Sequence, residues 1–119
     1  MMLIKFSWGS GWMEVDADRI ITNMTIRRYR QWAKLFAKYG TAEQHSAFLQ
    51  LVTQYIRTQE AECIGIENEL IERQGKLYGT IPTVMTSEYW EKQVKLYKGK
   101  LNGANAILKK YKTMYEVLS

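Results

Sequence analysis

One cysteine, one proline and one histidine occur in 119 residues. A lone Cys63 excludes an internal disulfide framework and suits a compartment that is reducing or indifferent, and a cytoplasmic setting is expected. A lone Pro82 leaves long stretches free of the strongest helix breaker. A lone His45 removes most histidine chemistry: there is no C-x-x-C, no H-x-x-x-H and no E-x-x-H pattern. His45 and Cys63 fall about five turns apart on one expected helix, too far for a nucleophile–base dyad. Long apolar runs are absent as well. No stretch approaches the ~18 uninterrupted apolar residues of a membrane span. Met1–Phe6 carries no long apolar core of a signal peptide, so neither secretion nor a membrane partner is expected.

The remaining candidates for chemistry have plainer readings. Gly9-Ser10-Gly11 lacks the lysine and following helix of a phosphate loop and reads as a hairpin turn. Glu60, Glu62, Glu67, Glu69 and Glu72 read as a solvated, lysine-paired helix face. The expectation is a protein that is not an enzyme, with no cofactor, no metal and no small-molecule substrate.

What is present is helical periodicity. Leu49, Val52, Ile56, Gln59, Cys63, Ile66, Leu70, Arg73 and Leu77 follow alternating steps of three and four. So do Trp90, Val94, Tyr97, Leu101, Ala104, Leu108, Tyr111, Tyr115 and Leu118. Such spacing draws a narrow stripe along a helix. Paired head to tail, the two lists match layer for layer, Leu77 with Trp90 and Leu49 with Leu118. Gly79 and Pro82 lie between them and break the helix. The pattern predicts an antiparallel two-helix coiled-coil hairpin. Its flanks set Glu67 against Lys98 and Glu69 against Lys100, which favours the same register. Gly65, Gly99 and Gly103 mark the competing reading, a break inside a helix.

Ahead of the hairpin, Ile4, Phe6 and Trp8 alternate with polar residues, as do Met13 and Val15. Only an even loop, of two residues at Gly9-Ser10 or four through Trp12, puts all five on one face. A two-stranded hairpin is not stable alone, so that face needs helices. Asp16 or Asp18 can cap a first helix that ends at Gly40, with Thr22, Asn23 and Thr25 as alternative caps in a turn crowded by β-branched residues. Thr41 and Gln44 form a capping box for the long helix, and Ser87 caps the last one. Phe48, Tyr55, Ile107 and Met114 make a second apolar strip on which the first helix and β-hairpin dock. The expected architecture is therefore mainly α (α+β). It is a single domain, 1–119, with a β-hairpin at 1–17, a first helix at 18–40 and the helical hairpin at 41–119.

Composition is that of a folded globular chain, 46% hydrophobic and 24% charged, with a net charge of +5. Two surfaces are candidate sites. Ile64, Ile71 and Tyr78 recur every seven residues away from the seam, and neither expected contact covers them. They predict a protein interface, with a target protein or with a second copy as a homodimer. Arg27, Arg28, Arg30 and Lys34, brought near Lys109, Lys110 and Lys112, form a basic surface with Tyr29 and Trp32 interleaved. Cations with stacking aromatics suit nucleic acid. The leading expectation is a small inhibitor, adaptor or regulator of the sort that phages and mobile elements encode. Nucleic-acid binding is the alternative.

Overall fold

The computed structural model describes residues 2–119. Two strands, β1 (Leu3–Trp8) and β2 (Gly11–Asp16), precede four helices. These are α1 (Ala17–Asn23), α2 (Ile26–Tyr39), α3 (Ala42–Leu77) and α4 (Ser87–Leu118). α3 and α4 pair as a helical hairpin, and no position in either apolar stripe is exposed. Neither helix breaks at a glycine: α3 runs 36 residues and α4 32. Gly65, Gly99 and Gly103 are exposed, with open space where a side chain would stand. They neither break the helices nor draw them together.

The chain divides into two compact units, residues up to Arg57 with Lys109–Ser119, and Thr58–Leu108. In the first, β1 and β2 join through a two-residue Gly9-Ser10 turn in which Gly9 adopts φ 54. A positive φ comes at little steric cost only to glycine. The register sets Ile4 opposite Val15 and Phe6 opposite Met13, as alternation requires. The apolar face closes onto Ile20, Ile21, Tyr29, Trp32, Phe36, Phe48, Val52 and Met114. Trp32 stacks on Phe36 at 4.8 Å between ring centroids, and Phe36 meets Phe6 at 5.8 Å.

The segment expected as one helix over 18–40 is two. Asp16 caps α1, its side chain accepting from the Asp18 amide. Met24 and Thr25 are extended, and the Thr25 hydroxyl accepts from the Arg28 amide to cap α2. β-Branched Ile20, Ile21 and Thr22 weaken the first helix just where Thr25 offers a second start. Gly40 ends α2 at φ −73, so no left-handed turn requires it. Packing does: a Cβ there would lie 2.5 Å from the Phe36 ring. Thr41 and Gln44 form the reciprocal capping box, at 2.9 and 3.1 Å. Gln44 also donates to the Lys5 carbonyl at 2.7 Å, tying the start of α3 to β1.

In the second unit the core is the seam itself. Cys63, Leu70, Trp90, Val94 and Ala104 are buried. Buried Gln59 donates through Nε2 to the Ala104 carbonyl at 3.0 Å. Arg73 lays its guanidinium 3.8 Å from the centre of the Tyr97 ring and donates to the Tyr97 hydroxyl. Both polar stripe residues thus meet α4 in the antiparallel sense the pairing predicts. At the turn, the Gly75 carbonyl accepts from the amides of Thr80 and Ile81, and Gly79 adopts φ 82. The Trp90 indole donates to the Thr83 hydroxyl at 2.9 Å. The cap of α4 is Thr86 rather than Ser87. Its hydroxyl accepts from the Tyr89 amide, three residues on, where an N-cap oxygen reaches.

Candidate interaction surfaces

The outer face of α3 in the second unit carries Ile64, Ile71 and Tyr78, at 58%, 57% and 70% exposure. Nothing in their own unit covers them, which matches the sequence reading. The charges expected to pair across the seam do not. Among the described residues the one ion pair is Lys76 with Glu72, 3.3 Å apart along α3. Glu67–Lys98 and Glu69–Lys100 stay open, and the Lys100 ammonium lies 4.5 Å over the Tyr97 ring. An exposed pair gains only ~0–1 kcal/mol, so a cation–π contact of similar worth displaces it readily. Ile107, assigned to the apolar docking strip, is 44% exposed. Phe48 and Met114 are fully buried and Tyr55 is half-buried, so the strip holds at three of its four positions.

The basic surface lies in the first unit. Residues 1–57 with 109–119 hold eleven Lys and Arg against five Asp and Glu; residues 58–108 hold six against seven. Arg27, Arg28, Arg30 and Lys34 are exposed on α2, a helix without an acidic residue. The aromatics between them are not available for stacking. Tyr29 is fully buried and Trp32 is 6% exposed, both inside the core. The period that spaced them between arginines is the same one that turned them inward.

The α4 lysines do not gather as one patch. Tyr29 Oη donates to the Met114 carbonyl at 2.6 Å, which seats α2 on the Met114 side of α4. Lys110 lies one turn from Met114 on that side and donates to the Thr22 carbonyl at 3.0 Å. Burial lowers its ammonium pKa. Lys109 and Lys112 are exposed. At ~100° per residue they stand roughly 140° and 200° round α4 from Met114. Lys110 alone is therefore shared with the α1–α2 side, and it serves there as a tether for the end of α1.

The reactive side chains are engaged structurally. His45 Nε2 lies 2.6 Å from the Phe36 carbonyl at the end of α2, and its ring meets Phe36 edge-on at 4.4 Å. Cys63 is buried in the seam. Among the described residues, no three His, Cys, Asp or Glu side chains converge as a metal site. Among the described residues, no helix is long and apolar enough to cross a membrane. A contact that sequence reasoning missed ties down the amino-terminal strand. Asp18 accepts from the Tyr55 hydroxyl at 2.7 Å and from the Met2 amide at 3.0 Å. Those bonds hold the Asp18 carboxyl below its usual pKa and push the Tyr55 phenol up to about 12. No local pattern signals a contact between residues 16 and 37 positions apart. Comparison with protein families, with curated proteins and with solved structures finds no match to this chain.

Proposed function

We propose that this chain is a small non-enzymatic protein-interaction module, cytoplasmic, acting as an inhibitor, adaptor or regulator through the outer face of α3. The observation that carries the reading is the exposed line of Ile64, Ile71 and Tyr78. Burying a large apolar side chain is worth roughly 1.5–3 kcal/mol, so three aligned on one face of a rigid helix favour a protein partner. The seam behind them holds this part of α3 helical and so presents them with little ordering cost on binding. The test is capture from nuclease-treated lysate of the source cell on immobilised protein. Wild type should retain a defined partner that Ile64→Glu/Ile71→Glu releases. Equal capture by both proteins would remove this face from the function.

A second reading is supported by the charge asymmetry between the units. Among the described residues, the exposed Arg27, Arg28, Arg30 and Lys34 stand without ion pairs, on a helix lacking any carboxylate. With Tyr29 and Trp32 buried, such a face suits phosphate contacts rather than base stacking. Nucleic acid bound there would be held by its backbone. A shift of duplex or RNA that weakens steeply with salt tests this, and its absence at low ionic strength would discard the reading.

A further inference from the structure

The exposed residues of α3 belong to a longer pattern than the three large side chains. Ala61, Ile64, Asn68, Ile71, Gly75 and Tyr78 follow steps of three, four, three, four and three. That is the spacing of a coiled-coil seam, here on the side of the helix turned away from α4. Within it, large residues (Ile64, Ile71, Tyr78) alternate with small or polar ones (Ala61, Asn68, Gly75). Ala61, Ile64, Asn68, Ile71 and Tyr78 are exposed.

We infer that this second seam is a self-association surface that pairs α3 with α3 of a second copy, antiparallel about a two-fold axis beside Leu70. The inference rests on the protein-binding reading of this face and specifies its occupant. In an antiparallel pair each layer joins one residue of either type. The layers are then Tyr78 with Ala61, Ile64 with Gly75, and Ile71 with Asn68, each occurring twice by symmetry. At the Tyr78–Ala61 and Ile71–Asn68 layers a large side chain meets a small or polar one, so there the surface is complementary in shape to itself. At the ends, Ile81 packs over Gly75, where a Cβ would stand 2.6 Å from its Cδ1. Ile64 of the second copy therefore meets an apolar Ile81 rather than a gap.

The flanks are compatible in charge. The same register sets Glu67 opposite Gln74 and Glu72 opposite Gly65, so no carboxylate faces another. Glu72 is already held by Lys76. A parallel pairing would instead set Glu67 of each copy against Glu72 of the other, and like charges opposite one another are unfavourable. The face from 61 to 78 is about 26 Å long at 1.5 Å per residue. One helix pair of that length buries less than the roughly 800 Å² per partner of a stable complex, so the dimer is concentration-dependent.

Sedimentation velocity on the purified full chain, from micromolar to millimolar concentration, tests the association. Wild type should pass from monomer to dimer, and Ile71→Glu should lower the dimer fraction at least tenfold while melting at the same temperature. Oxidising a mixture of Asn68→Cys and Ile71→Cys proteins tests the register. Mixed disulfide should form faster than either homodimer disulfide. A wild type that stays monomeric at 1 mM overturns the self-association and leaves the lysate experiment to decide the protein-binding reading. A dimer that survives Ile71→Glu, or Ile71→Cys that cross-links best to itself, overturns the surface or the register.

Discussion

Tyr29 and Met114 are joined by a 2.6 Å hydrogen bond across 85 residues of sequence. Tyr29 is fully buried, and its burial pushes the phenol's pKa up. The bond gives a polar group in an apolar core its partner and seats α2 on α4. Tyr29→Phe keeps the ring and deletes the donor. A net intramolecular hydrogen bond is worth about 0.5–1.5 kcal/mol. The variant should unfold at a lower urea concentration by that amount, with an unchanged m-value. An unchanged midpoint would mean the bond contributes nothing net.

Stability should fall at both ends of the pH scale, with Asp18 contributing to the acid limb and Tyr55, together with buried Tyr29, to the alkaline one. The folded-state pKa of Asp18 is depressed, so its contribution is present above the unfolded value of about 4 and is lost as pH falls through the lower folded value. The Tyr55 pKa is raised to about 12. Its contribution is present below the unfolded value of about 10 and is lost as pH rises toward 12. Urea midpoints measured against pH should show both limbs. Asp18→Asn should flatten the acid limb, Tyr55→Phe should flatten the alkaline one in part, and Tyr55→Phe/Tyr29→Phe should flatten it further. A steep limb that persists in its own variant would assign it to other groups.

Glycine substitutions should separate by position rather than by helix. Gly99 and Gly103 are exposed inside α4 with open space for a Cβ. Replacing each with Ala should stabilise by about 0.5–1 kcal/mol, the cost of glycine in a helix interior. Gly75 lies under Ile81 and Thr80, with Ile81 Cδ1 2.6 Å from the added carbon. Gly75→Ala should gain less than the other two or destabilise, because the turn that follows α3 must shift. Melting temperatures of the three variants provide the comparison.

Gln59 is the buried polar residue of the seam, 7% exposed and bonded to the Ala104 carbonyl. Polar seam residues set register at a cost in stability. Gln59→Leu should raise the melting temperature and loosen specificity, seen as added oligomers in sedimentation. Gln59→Ala should lower it, since a cavity replaces a filled layer. If Leu destabilises as much as Ala, the hydrogen bond contributes more than its desolvation costs.

If the basic face of α2 binds nucleic acid, it should do so without base preference. Tyr29 and Trp32 are inside the core, so single strands have no exposed ring there to stack on. Replacing Arg27, Arg28 and Arg30 with Gln should weaken duplex and single-strand binding alike. It should also flatten the dependence of log K on log salt by about one phosphate contact per arginine. A variant that loses single-strand binding selectively would place a stacking group elsewhere.

The helical hairpin was legible in the sequence because its information is local and periodic. Steps of three and four residues specify a helix face wherever it ends up, and head-to-tail matching of the two stripes supplied the antiparallel sense in which Gln59 and Arg73 meet α4, each bonding one layer away from its matched partner. Parity likewise determined the loop of the β-hairpin, since a slip of one residue would turn Phe6 outward. The outward line of Ile64, Ile71 and Tyr78 could be found the same way. Tertiary structure alone decided what depends on competition between near-equal local options or on distant partners. Thr25 outcompeted a continuous helix, and Thr86 rather than Ser87 took the cap, because adjacent hydroxyls differ by tenths of a kcal/mol until packing chooses. Lys100 met a ring in place of Glu69 because exposed charges are nearly indifferent to their partner. Tyr29 and Trp32 lay on an arginine-rich helix whose two faces the sequence marks but does not orient. Only the seating of α2 against Phe48 and Met114 determined that the aromatics fill the core and the arginines face water.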